Sequence, residues 1–283
     1  MVNAATPEGA PKEDENRLAR TPVIACLKWG TGYPAIYTNM LYRAISDTIS
    51  VPFTFVCITD DPTGLDDGIE TRPLPPFALE RHLWTHGIWP KFAICAKDMF
   101  TPETPILYLD VDVLVTGDLA PLIAHVTTNR GLQVPQGWHN THERWFPRLF
   151  PAERITHGAV IGLIGGEQDH LYDMVKDRGA DLIEEYGNDQ VVFHNHGAKR
   201  QYLPNGWVLS FKKSLAWHFP TSLFLQPSRP PADCMIVSFH GTPNPQDMTQ
   251  RPFKRGGSPE KFGYFPVKWI KDYWTRYSRD SDL

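Results

Sequence analysis

The sequence predicts an α/β fold: a mostly parallel sheet flanked by helices, built as a single domain. Three observations carry that prediction. Short, continuous apolar runs at 22–27 (PVIACL), 53–59 (FTFVCIT) and 106–115 (ILYLDVDVLV) read as strands buried on both faces. The first two enclose a stretch with helical periodicity, and a strand–helix–strand order gives parallel neighbours joined by right-handed crossovers. The length, 283 residues, suits one large α/β domain or two small ones, and no repeat, low-complexity tract or linker divides the chain.

After the first strand, KWGTGYP (28–34) is a glycine-punctuated loop. Residues 35–49 form a helix, with Ile36, Met40, Leu41, Ala44 and Ile45 on one stripe. The second strand ends at Asp60-Asp61-Pro62, a turn signal. IETRPLPP (69–76) is a short strand entering a proline-rich loop, and Trp89-Pro90 opens a helix through KFAICAKDMF. ILYLDVDVLV is the third strong strand, and Asp118 caps the helix that follows. GLQV (131–134) and HGAVIGLIGG (157–166) read as strands on either side of an aromatic, His- and Arg-rich loop. Residues 170–187 form a helix ending at Gly187. VVFHNHG (191–197) fits a helix or a strand, and MIVSFHG (235–241) is a late strand ending on His240. The expected organisation is a disordered polar N-terminus (1–20), a domain (21–250) and a basic, aromatic tail or helix (251–283).

Composition narrows the function. Hydrophobic residues make up 41% and charged residues 21%, as expected of a soluble globular protein. A net charge of −4 gives no general attraction to nucleic acid. The four cysteines are far apart, and three sit in apolar runs, so they read as small buried hydrophobes in a reduced, cytoplasmic setting. The first 20 residues contain no apolar leader core, and no run approaches the ~18–20 apolar residues of a membrane span.

Residues 106–122, ILYLDVDVLVTGDLAPL, place Asp110 and Asp112 inside an apolar run. Buried carboxylates are costly unless paired or bound to a cation. Ligands of open α/β sheets bind beyond the carboxyl ends of strands. Strand alternation would send both side chains to one side, so they are expected to converge. Two hard oxygen ligands without a thiolate suit Mg²⁺ or Mn²⁺, with a diphosphate supplying further oxygens. His240, at a strand end, is the candidate third ligand and tilts the choice toward Mn²⁺.

LYLDVDVLVTGDL resembles the DxD motif of the family 8 glycosyltransferases, the glycogenin-like and lipopolysaccharide-galactosyltransferase-like enzymes. Further features follow in that family's order over roughly residues 22–250. PVIACLKWGTGY resembles its first nucleotide-binding strand, and Trp89-Pro90-Lys91-Phe92 lies where the family carries an arginine. HGAV (157–160) resembles its Asn-x-Gly-Val strand, Asn188-Asp189-Gln190 its Asp-Gln pair, and SFHGTPNPQD its His-x-x-Gly-x-x-Lys-Pro closing motif.

The resemblance implies a GT-A fold, a Rossmann-like nucleotide-diphospho-sugar domain. It also implies metal-dependent transfer of a hexose, with retention, from a nucleotide-diphosphate sugar (a UDP-sugar by default) to a carbohydrate or lipid-linked glycan. Asp110, Asp112 and His240 resemble the metal ligands, with Asp110 also contacting ribose. Asp189 and Gln190 resemble the pair beside the reacting carbon. Leu27, Lys28, Tyr33, Asp60, Lys91, Val111, His157, Gly158 and Gly241 are the expected donor-site residues. The chain also departs from the pattern. Lys91 replaces an arginine and loses its bidentate geometry. Thr156 or His157 stands where asparagine is expected, and Asn244 takes the place of the closing lysine. Lys212, Lys213, Arg251, Lys254 or Arg255 could replace that cation.

Each residue also has a plainer reading. The aspartates could form a capped turn or a solvated edge, and Asp118 a helix cap. His240 could be a satisfied strand-end histidine, and Asn188 and Asp189 the cap of a following helix. Lys91 could be a solvated lysine at a helix start, Asp60 a turn residue, and Lys28, Trp29 and Tyr33 ordinary loop packing. His139, His142 and Trp145 could shape an acceptor groove or simply crowd the surface. The tail VKWIKDYWTRYSRD could dock on its own domain or lie on the inner face of a membrane. Two competing functions remain: a haloacid-dehalogenase-like phosphatase, whose motif is also a strand plus DxD, and a GT-A-like domain that binds a nucleotide sugar without transferring it.

Overall fold

The computed structural model describes residues 20–77, 79–84, 88–139, 143, 146, 148–149, 154–217, 221–250 and 266–279. The disorder expected before residue 20, and His142, Trp145, Arg251, Lys254 and Arg255, lie outside them. The fold is mixed α/β, with a seven-stranded sheet at its centre. β1 (Val23–Lys28) and β2 (Thr54–Thr59) are almost wholly buried, as their continuous apolar runs require. Between them α1 (Ala35–Thr48) buries the predicted stripe of Ile36, Met40, Leu41, Ala44 and Ile45. β3 (Glu70–Arg72) joins β2 in parallel, and β4 (Pro105–Leu109) joins the other side of β1 in parallel.

The strand expected over 106–115 is broken. It leaves the sheet at Asp110, and β5 (Leu114–Val115) belongs to a second, three-stranded sheet. Residues 110–113 form a turn, with the Val113 N–H pointing at the Asp110 carbonyl. Asp110 and Asp112 are therefore brought together by a turn and not by strand alternation. Downstream lie α2 (Ala120–Asn129), β6 (Gln133–Val134) and β7 (Val160–Ile164), the last antiparallel to β4. α3 (Asp169–Tyr186) ends on Gly187 at φ 74°. The undecided 191–197 segment is helical: α4 (Asp189–His196) starts on an Asn188 cap that accepts from the Val191 N–H at 3.2 Å. β8 (Gln201–Tyr202), β9 (Val208–Ser210) and β10 (Ile236–Ser238) complete the strands. Residues 89–95 wind as a 3₁₀-helix, where a longer helix through 100 was expected.

The sheet order is β3-β2-β1-β4-β7-β6-β8, and the second sheet is β5-β10-β9. Alternation along β1 sends Ile24 and Cys26 into the core under α1, and Val23, Ala25 and Leu27 into the core under Trp89, Phe92 and α3. A third core joins β10 to α5 (Lys268–Tyr277) through Val237, Trp269 and Ile270. The Tyr277 hydroxyl donates to Asp47 at 2.8 Å, and Trp274 meets Tyr37 edge to face at 5.5 Å. The aromatic face of α5 is thus spent on its own fold. Among the described residues, no helix is long and apolar enough to cross a membrane.

Because β2 and β4 flank β1 on opposite sides, the strand order reverses at β1/β4. That arrangement opens a crevice beyond the carboxyl ends of those strands.

Candidate functional site

A cleft of about 570 Å³ occupies the crevice, lined by residues 27–33 from β1 and its loop and by Tyr108, Asp110, Val111 and Asp112 from β4 and its turn. Leu27, Lys28, Tyr33, Asp110, Val111 and Asp112 are therefore gathered as the sequence anticipates. Lys28 is buried and donates to the Asp61 carbonyl at 2.9 Å. Asp60 does not open freely onto the cleft. It accepts from the Gly30 N–H at 3.1 Å and pairs with Arg81, which ties the loop to the end of β2.

Behind the cleft, Lys91 sits at 1% exposure, which overturns its reading as a solvated helix-start residue. Its ammonium donates to the Gly158 carbonyl at 2.8 Å and lies 3.1 Å from Asp110 and 3.4 Å from Asp189. Burial opposes its charge, but Asp110 and Asp189 outweigh burial and hold its pKa above the ordinary value. Burial pushes Asp189 up to about 6, with Lys91 pulling the other way. Among the described residues, Asp189 Oδ2 is buried without a hydrogen bond of good geometry, although Lys91 Nζ stands 3.4 Å away. Gly158 suits this packing, since a Cβ there would lie 3.1 Å from both Asp189 Oδ2 and Lys91 Nζ and would make them give by a few tenths of an ångström. Gln190 is placed beside the same glycine, and its carbonyl accepts from the buried Thr156 hydroxyl at 2.9 Å.

Asp112 is buried and accepts from the Tyr33 hydroxyl at 2.9 Å. Burial, and then the charge of Asp110, push its carboxyl up to about 7. Asn244, in the closing motif, lies 3.5 Å from the same hydroxyl and caps residues 245–249. Lys212 donates to the His240 carbonyl at 2.5 Å, next to Gly241. Among the described residues, this contact puts Lys212, a proposed replacement for the closing lysine, on that motif.

His157 and His240 face each other across 5.3 Å, and Trp138 packs on both, at 4.7 Å and 5.9 Å. Burial lowers His157 to about 3 and His240 to about 4, so both rings are neutral at pH 7. His240 Nε2 is engaged with Ser210 Oγ at 2.7 Å.

Two adjacent carboxylates, one of them disfavoured in its charged form by burial and by its neighbour, fit a divalent cation. Among the described residues, however, no three His, Cys, Asp or Glu side chains are gathered closely enough to hold a metal by themselves. Such an ion would depend on oxygens from its ligand, as the sequence reasoning anticipated. Sequence reasoning missed Tyr108, Ser210 and Trp138. Tyr108 was findable, because it lies two residues before Asp110 and donates to it at 2.7 Å.

This seven-stranded, mostly parallel sheet flanked by helices is the architecture of the GT-A fold. No protein-family profile matches the chain, and no curated protein matches it. Solved structures do. The galactosyltransferase LgtC in complex with donor and acceptor sugar analogs superposes with a TM-score of 0.56 at 14% identity, over 91% of this chain and 96% of that one. An active-site mutant of LgtC gives 0.57 at 14%, over 92% and 100%. The apo form of the glycosyltransferase GlyE from Streptococcus pneumoniae TIGR4 gives 0.53 at 12%, over 92% and 61%. At such identities the likeness is one of fold.

Proposed function

We propose that the chain is a hexosyltransferase that moves a sugar from a nucleotide-diphosphate donor, a UDP-sugar, to a carbohydrate or lipid-linked glycan. The observation that carries this reading is the cleft at the β1/β4 switch, with Asp110 and Asp112 on its floor and the glycine loop 28–33 as its wall. In the transfer, an acceptor hydroxyl oxygen bonds to the anomeric carbon. The bond from that carbon to the diphosphate oxygen breaks, its electron pair leaves with the nucleoside diphosphate, and the hydroxyl proton is released. Retention, as in the resembled family, places the acceptor on the leaving-group face.

Asp110 and Asp112 would hold the cation, with His240 as the third ligand if its ring turns from Ser210. A bound Mn²⁺ or Mg²⁺ supplies Lewis-acid stabilisation of the departing diphosphate. Lys91 fixes Asp110 and Asp189 by charge, and Gly158 leaves them room. Asp189 and Gln190 would face the transferred sugar, where the carboxylate favours an oxocarbenium-like transition state. Leu27, Lys28, Tyr33 and Val111 would line the nucleoside, with His157 and Gly241 on the diphosphate and sugar side. No covalent nucleophile is assigned.

Thermal shift against a panel of nucleotide sugars, with and without Mn²⁺, tests the reading. The true donor raises the melting temperature with metal present, and a flat panel counts against a donor site. A second reading, a domain that binds without transferring, is favoured by Asn244 standing where the closing lysine is expected. Manganese-dependent hydrolysis of a UDP-sugar, lost in Asp112→Asn, excludes it. The phosphatase alternative gains no support, because the two aspartates follow β4 and three strands precede it.

A further inference from the structure

Among the described residues, four that are not glycine hold a positive φ: Ile88, Glu103, Arg130 and Lys199. An L-residue enters that region at a cost, because its Cβ crowds the following carbonyl, and a β-branched side chain suffers most. Glu103 and Arg130 have an evident reason. The Arg130 guanidinium donates to both Glu103 carboxylate oxygens, at 2.9 Å and 3.1 Å, so each holds the other in place. Ile88 is apolar, and no polar partner could hold it that way. It stands at φ 57° and ψ 45°, in the left-handed helical region, as the N-cap of the 3₁₀-helix of residues 89–95. Ser, Thr, Asp, Asn or Gly suits an N-cap, and isoleucine offers the helix no capping hydrogen bond. The residue is also 42% exposed. Backbone preference, capping and hydrophobic burial therefore all argue against isoleucine here. A position that breaks several local rules at once marks a strained, functional site.

Its location supplies the function. Ile88 lines the cleft at the β1/β4 switch, in the same wall as Leu27, Tyr108 and Val111. Those three are at most 6% exposed, so they lie almost flush, whereas Ile88 offers open apolar surface to the same space. Its carbonyl accepts from the Lys91 N–H at 3.1 Å, which sets Ile88 one 3₁₀ turn before the lysine that holds Asp110. An apolar group at the edge of an otherwise polar cleft fits the flat face of a nucleobase or the carbon face of a ribose, both of which leave water when they pack on it. We infer that Ile88 is a donor-contact residue, that its side chain packs on the nucleoside of the bound nucleotide, and that its left-handed backbone is strained to keep that contact in place. The inference rests on the donor-site reading of the cleft. The strain itself does not depend on it.

Two measurements on the full chain test this together. Ile88→Gly removes the Cβ, and Ile88→Asn supplies a residue that tolerates left-handed backbone. Without ligand, each should melt about 2 °C or more above the wild type. Calorimetric titration with UDP and Mn²⁺ should show the opposite change, with binding weakened about tenfold by either substitution as the apolar contact is lost. Ile88→Val keeps the strain and most of the apolar surface, and should bind UDP within about twofold of the wild type. Pyrophosphate with Mn²⁺ lacks the nucleoside and should bind all of these proteins alike. Lower melting temperatures in both Ile88→Gly and Ile88→Asn, unchanged UDP affinity in both, or an equal loss of pyrophosphate affinity would each overturn the proposal. A wild type that binds UDP no better than its variants sinks the Ile88 contact alone. A wild type that binds neither UDP nor pyrophosphate sinks the donor reading, and the contact with it.

Discussion

The Lys91 ammonium lies 3.1 Å from the Asp110 carboxylate, joining a 3₁₀-helix to the turn that follows β4. Asp189, from the start of α4, closes the cluster at 3.4 Å from the same nitrogen. A cation buried between two carboxylates is costly to expose on one side only. Replacing Lys91 with methionine leaves those charges uncompensated and should cost about 3–5 kcal/mol. Chemical denaturation measures it. Adding Asp189→Leu should recover part of the loss, and strictly additive effects would show that the two do not interact.

Gly158→Ala should disturb the same cluster more gently. The added methyl would press on Asp189 Oδ2 and Lys91 Nζ, each at 3.1 Å. Donor hydrolysis should fall while the melting temperature changes little. An unchanged rate would remove Asp189 from the reacting region.

Asp112→Asn should lower manganese-dependent turnover about 100-fold or more, because a neutral amide is a poor ligand. Tyr33→Phe removes the hydroxyl that donates to Asp112 at 2.9 Å and should weaken Mn²⁺ binding about tenfold. Metal titration followed by donor turnover separates the two effects.

Asp118 should matter to the fold and not to the donor. It accepts from Ser50 and from the Ala120 N–H at the start of α2. Burial is the largest single influence and raises its pKa, but the hydrogen bonds together, led by the Ser50 hydroxyl, bring the net value below the ordinary one. A depressed carboxyl stabilises the protein above its unfolded pKa of about 3.9 and loses that contribution as pH falls through the folded value. Asp118→Ala should therefore cost about 1 kcal/mol at neutral pH and nothing in strong acid. Equal costs at both pH values would contradict the assignment.

Ile270→Ala should cost about 3 kcal/mol, because the side chain fills the core between α5 and β10. Cosedimentation with anionic vesicles, before and after removal of residues 268–283, tests the tail as a membrane contact. Unchanged binding would exclude it, as expected from a helix whose aromatic face is already docked.

The sequence by itself determined the mostly parallel sheet, the stripe on α1, the acids at the end of β4 and an Asp118 that accepts from the first N–H of α2, although the N-cap position itself falls on Leu119. These follow from local apolar periodicity and capping chemistry, which act within a few residues. It left Val191–Gly197 open between helix and strand, because a short apolar run satisfies both patterns, and only the Asn188 cap and burial of Phe193 decided it. The break at Asp110 was also invisible, since LDVDVLV alternates as a strand would until β5 finds β10 in another sheet. The fate of Lys91 was decided by tertiary structure alone. A lysine beside a proline reads as solvated until residues 110, 158 and 189, far along the chain, supply the acceptors that make its burial affordable.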